Sequence, residues 1–243
     1  MIGTTMWQTE KFYVNGERVT GVSQLANFDN RAKTLLGYGP NLKEQLELQG
    51  FFLDTPNSFD KPAPAAANNT APNSGQQTRK LELKGEATWK ICSRFPSELA
   101  KQPLLIPSRM DMKLVLHRAK AASCMTSDDE PTGIKLALVP AQLKIRKTKM
   151  DPEFLVAHEM LLAKRNALIF FEEKSVLELT PYQRGWDEFR TGVIPKKVIL
   201  ALVDSAAIAG HYKKNPLETE SANLSQVGFI VSGENLPSRP LQF

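Results

Sequence analysis

Cysteine is nearly missing from this chain of 243 residues. Cys92 and Cys124 are the only two and lie far apart, so they can form neither a disulfide framework nor a four-cysteine zinc site. Histidine is almost as scarce. His117, His158 and His211 form no H-x-x-x-H pair, and none sits near a cysteine at ligand spacing. Long apolar runs are missing too: Val198 to Val203 is six residues and follows Pro195, Lys196 and Lys197, whereas a membrane span needs roughly 18 to 20. Residues 1–8 lack the basic region and apolar core of a signal peptide, which leaves the sequons at Asn68 and Asn223 without a glycosylation context. Charge of one sign is only mildly in excess, 31 Lys+Arg against 26 Asp+Glu, for a net +5. With 42% hydrophobic and 23% charged residues the composition is that of a folded protein, which excludes wholesale disorder; the length suits one large domain or two of about 100 to 120 residues.

Catalytic signatures are absent as well. There is no G-x-S-x-G, H-E-x-x-H or P-loop sequence. Gly37-Tyr-Gly39-Pro40 lacks the third glycine and the strand-to-helix setting that cradle a phosphate, so it reads as a turn. The acidic groups Asp128-Asp129-Glu130 and Glu172-Glu173 are adjacent in sequence and read as solvated rims rather than metal ligands. His158 falls on a helix stripe and reads as a packing residue; Cys92 and Cys124 read as small buried hydrophobes. The expectation is a protein that is not an enzyme, with no catalytic residues, cofactor or metal.

What is present is strand-like. Phe12 and Val14 alternate with polar neighbours before Asn15-Gly16, two residues tolerant of positive φ, which is a hairpin signature. Met112, Leu114 and Leu116 share one face of a further strand, and Leu143 and Ile145 alternate with Gln142, Lys144, Arg146 and Thr148. Residues 175–179, 197–203 and 226–232 continue the pattern, the last closing on a Ser232-Gly233 turn. One helix is well marked, with Asp151 as N-cap, Pro152 at the first position, Glu153 at the positive dipole end and Lys164 and Arg165 at the negative end; a shorter helical piece covers residues 31–36. Residues 55–80, rich in Pro, Ala, Asn and Ser, read as a long exposed loop inside a domain, with an inter-domain linker as the competing reading. Many short strands with one or two short helices predict an all-β chain of the sandwich or barrel class.

The basic row Lys144, Arg146, Lys147 and Lys149 in the strand over 142–149 could track phosphates, and the net charge agrees in sign. No aromatic residue lies between Pro96 and Pro152 to stack a base, so nucleic-acid binding by a β-barrel is the alternative reading.

The main reading comes from a resemblance. Residues 104–118 (LLIPSRMDMKLVLHR), 194–204 (IPKKVILALVD), 210–217 (GHYKKNPL) and 224–242 (LSQVGFIVSGENLPSRPLQ), preceded in order by YVNG at 13–16, LLGYG at 35–39 and IRKTKMDP at 145–152, are similar to the double jelly-roll major capsid proteins of Polinton/Maverick and adintovirus-type elements. Such proteins also occur as endogenous viral elements in animal genomes. The resemblance spans almost the whole chain. It implies jelly-roll β-sandwiches, residues 1–130 forming the first roll with the loop at 55–80 and residues 131–243 the second. It further implies a structural, hexon-like subunit that self-associates into pseudo-hexagonal homotrimers of an icosahedral shell. The partners implied are other copies of the chain and a minor capsid or penton protein, with no membrane span and no specific nucleic acid; the implied location is the virion and the interior of the host cell. Sixteen strands would leave about 15 residues each, so the chain is expected to be a truncated or decayed form, incomplete at both ends, with most of the first roll and the opening half of the second.

Overall fold

The fold is taken from a computed structural model. The structure describes residues 2–22, 24–37, 39–56, 58, 73–82, 88–94, 97–126, 136–171, 176, 194–221 and 223–242. It opens with a short helix, α1 (Ile2–Thr5), and a hairpin of β1 (Trp7–Val14) and β2 (Glu17–Val22). Asn15 (φ 50°) and Gly16 (φ 87°) both take the left-handed conformation that matches a two-residue turn to the twist of the strands it joins, as the Asn-Gly pair predicts. β3 (Met112–Arg118) pairs antiparallel with the other edge of β1, giving the order β2-β1-β3. The central strand therefore finds its second partner about 100 residues downstream. Phe12 sits between Thr20 and Leu114. The turn is anchored to the same junction, since Asn15 N donates to Asp111 O (2.8 Å) and Asp111 N donates to Asn15 Oδ1 (3.0 Å).

Helix α2 (Ala26–Gly37) contains the expected helical piece but packs by an unexpected face. Ala26, Asn30 and Thr34, one turn apart, are buried together with Asn27, while Leu35 and Leu36 face outward. Polar pairing decides this orientation: Asn30 Nδ2 donates to Thr4 O (3.0 Å) on α1 and to Glu10 Oε1 (2.8 Å) on β1, and Thr34 Oγ1 donates to Asn30 O (2.8 Å). A 3₁₀ turn, Pro40–Leu42, and α3 (Lys43–Glu47) lead to Gly50, whose φ of 72° ends the turn and whose α-carbon lies under the Trp89 ring, where an added Cβ would meet Cη2 at 2.7 Å. Phe52 stacks on the same indole at 6.5 Å.

The long polar loop is corrected in part. Residues 74–80 are not loop but lie in α4 (Ser74–Glu82), which Asn73 caps: its Oδ1 accepts from Gln76 N (3.3 Å) and from Thr55 N (3.3 Å). Residues 57 and 59–72 lie outside the described residues. α5 (Glu98–Lys101) and a 3₁₀ turn at Ala121–Ser123 flank β3.

In the second half, α6 (Pro152–Leu162) starts as predicted, with Glu153 N donating to Asp151 Oδ1 (2.9 Å), but it ends before Lys164 and Arg165, which lie in the turn that follows. α7 (Ser205–Ala209) is capped in the same way by Asp204, whose Oδ1 accepts from Ala206 N (2.8 Å) and whose other oxygen pairs with Lys214; it seats the buried Ala207 close to the Ala121–Ser123 turn. β4 (Gln226–Val231) and β5 (Glu234–Gln242) form the second hairpin, turning at Ser232 (φ 53°) and Gly233 (φ 88°).

Among the described residues the all-β expectation gives way to a mixed structure of 29% helix and 19% strand, with small antiparallel sheets and no barrel. Antiparallel pairing is as the sequence suggests. Part of the additional helix is α4 and α7, which Asn73 and Asp204 cap locally. The strands expected over 142–149 and 197–203 are irregular and unpaired in the described structure; most of 175–179 lies outside the described residues. Alternation alone does not make a strand when no neighbour supplies the ladder.

Candidate interaction surface

The predicted site residues come first. Lys144, Arg146, Lys147 and Lys149 all lie exposed on an extended segment, but without the paired strand that would hold them in a row. Leu143 (60% exposed) and Ile145 (65%) are interspersed with them and are likewise exposed, so the segment presents cationic and apolar side chains together.

The histidines sit in three different elements. His117 is in β3, opposite Thr9; His158 is in α6, stacked on Phe154 at 5.9 Å; His211 Nδ1 accepts from Lys213 N (3.1 Å) in the turn after α7. Cys92 is exposed, against the buried reading, and Cys124 is half-buried, where desolvation pushes its thiol above its ordinary range with Arg118 partly opposing. A thiol so placed is held in the un-ionised, unreactive form. Asp128, Asp129, Glu130, Glu172 and Glu173 lie outside the described residues. Among the described residues no group of three His, Cys, Asp or Glu side chains could hold a metal ion, and no helix is long and apolar enough to cross a membrane.

Charged groups do converge at one inner position. Arg79 Nη2 meets Asp54 Oδ1 at 2.5 Å while its Nη1 donates to Phe52 O (3.1 Å), and Arg31 lies within the field of Asp54, Arg79 and Glu218. Burial lowers the Arg31 pKa, Asp54 and Glu218 raise it and Arg79 lowers it. The Arg79 guanidinium, held by the Asp54 carboxylate and the Phe52 carbonyl, ties α4 to the segment after α3. The cluster leaves no net charge to recruit an anion.

What remains unsatisfied is apolar surface. A small cavity of about 90 Å³ between the first hairpin and the β3 approach is lined by Val14, Val19, Met110 and Met112, and is closed by Ile169 and Phe171. The residues that alternate with those two, Leu168 (70% exposed) and Phe170 (78%), project away from the protein. A four-residue run apolar on both faces is the pattern of a strand covered on both sides, yet only one side is covered. α6 is of the same kind: apolar nearly all round, it has no buried residue, and Phe154, Val156, Met160 and Leu161 are each at least half exposed. Ile194 and residues 198–200 add to this surface, and no described residue from 136 to 171 or from 194 to 203 is buried. Patches of such extent mark association surfaces. The apolar run Leu168 to Phe171 was visible in the sequence, but that only one of its sides is covered needed the structure. Comparison with family models, curated proteins and solved structures gives no match.

Proposed function

We propose that this chain is a structural, self-associating subunit of the double jelly-roll major capsid class, with copies of itself as its principal partner. One observation carries the reading: among the described residues of 138–171 and 194–200 none is buried, and most of the large apolar side chains, on α6 and on unpaired chain, are exposed. Large exposed apolar faces are unfavourable for an isolated subunit and favourable for one that buries them laterally. The sequence resemblance gives the assembled form: jelly-roll sandwiches in pseudo-hexagonal homotrimers of a virion shell made inside the host cell, with a penton protein as second partner and no enzymatic role. Sedimentation and negative-stain imaging of the purified chain test it. Discrete trimers or closed particles are expected; a monodisperse monomer at every concentration refutes the reading.

A second reading has its own observation, the four exposed cations Lys144, Arg146, Lys147 and Lys149. As a nucleic-acid binder the chain would be held on a DNA column through these groups, with retention falling steeply with salt and lost when they are replaced. Weak retention that survives their replacement favours the capsid reading.

A further inference from the structure

We infer that α6 is a two-fold docking element that pairs antiparallel with α6 of a second copy. The helix has two unlike sides. His158 and Leu162 are half-covered by the chain's own residues, and Glu159 reaches Arg109 at 3.4 Å, so this side faces the protein. On the opposite side Glu153, Ala157 and Met160, spaced by four and three residues, form one exposed stripe flanked by Val156 and Leu161, and Lys164 is exposed in the turn two residues past the end of the helix. The stripe is acidic at its N-terminal end and apolar in the middle, and the turn that follows its C-terminal end carries the cation Lys164.

That order is self-complementary. A two-fold axis through the middle of the stripe, between residues 158 and 159, sets Glu153 against the partner's Lys164 and Ala157 against the partner's Met160, so that a long side chain enters the gap left by a short one. Each end gains an ion pair, and the helix dipoles run opposed. A parallel pairing would set Glu153 on the partner's Glu153 and Lys164 on the partner's Lys164, so the charges also choose the direction. The ion pairs lie about 16 Å apart along the helix. An interface of this length falls at the small end of stable contacts, so a weak dimer of micromolar dissociation constant is expected. The inference deepens the self-association reading by naming one contact, and that contact can stand or fall independently of the capsid shell.

The test is analytical ultracentrifugation of the full chain from about 1 to about 100 µM, for the wild type, Glu153→Lys, Lys164→Glu and the double reversal. Each single reversal should weaken dimerisation at least about tenfold, and the double reversal should restore it to within about threefold. Both single changes oppose the helix dipole and the double change opposes it twice, so restoration cannot be an effect of helix stability. Trimers or particles unaffected by the single reversals would overturn the two-fold contact while leaving the proposed function intact. Dimers that follow the charge pattern without any larger assembly would support the contact and count against the capsid shell. Singles that weaken association with no rescue by the double would overturn the pairing, as would a wild type that stays monomeric throughout.

Discussion

Residues 2–126 and residues 136–200 are built from similar short apolar segments, and only the first set closes a core. In the first, Met6, Ala26, Leu46, Leu99 and Ala119 are buried among three paired strands and several helices; in the second, no described residue is buried and most leucine, isoleucine and phenylalanine side chains are exposed. Local pattern is therefore not what separates them. The first region has partners for its backbone groups: β1 pairs on both edges, Gly3 N donates to Gln49 O and Cys92 N donates to Leu48 O. Among its described residues the second has one helix and chain without strand pairing. A closed core and an open apolar face require different experiments.

The largest effect should come from the tightest point of the first region. Gly50→Ala places a Cβ at a φ of 72° and against the Trp89 ring, which should cost about 3 kcal/mol in chemical denaturation. Asn30→Ala comes next. It strips the amide that donates to Thr4 O and Glu10 Oε1 in a buried setting and should cost about 2 kcal/mol; a change near zero would show that the polar packing of α2 is not what orients it.

In the second region the same measurement should respond less. Asp151→Ala removes the α6 cap and should cost about 1 kcal/mol of helix stability, read by circular dichroism. Replacing both Leu168 and Phe170 with Ser should change stability by less than about 0.5 kcal/mol while shifting the association state toward monomer. A large loss of stability there would mean that these residues pack within the copy, and the contrast between the two regions would collapse.

The smallest effect concerns pH. The Asp204 carboxyl is held below its ordinary range, first by the Lys214 hydrogen bond and then by the Ala206 amide. A depressed carboxylate pKa adds stability above the unfolded value and loses it as pH falls through the folded one. Loosening of α7 should accordingly begin only in the acid range below about pH 4, read as faster amide exchange at residues 206–210; loosening near neutrality would contradict it.

The first hairpin was legible because Asn15-Gly16 imposes its turn without outside help, and α6 because Asp151 and Pro152 signal its start in adjacent positions. β3 and β4 were legible from alternation, but the pairing of β3 with β1 across about 100 residues was not. Sequence reading failed at residues 142–149 and 197–203, where alternation without a neighbour gives no ladder, and at 74–82, where Asn73 turns a polar stretch into a helix. Nor could it show that α2 buries Asn30 and exposes Leu35, since apolar spacing carries no information on which hydrogen bonds a buried amide will find. The basic row was legible as charge but not as a surface, because its strand does not form in the described structure.

The sequence by itself determined the turn at Asn15-Gly16 and the start of the helix at Asp151-Pro152, which depend on residues within a few positions of one another. The tertiary structure alone decided which apolar segments are covered and which face outward, because burial depends on what the rest of the chain brings alongside.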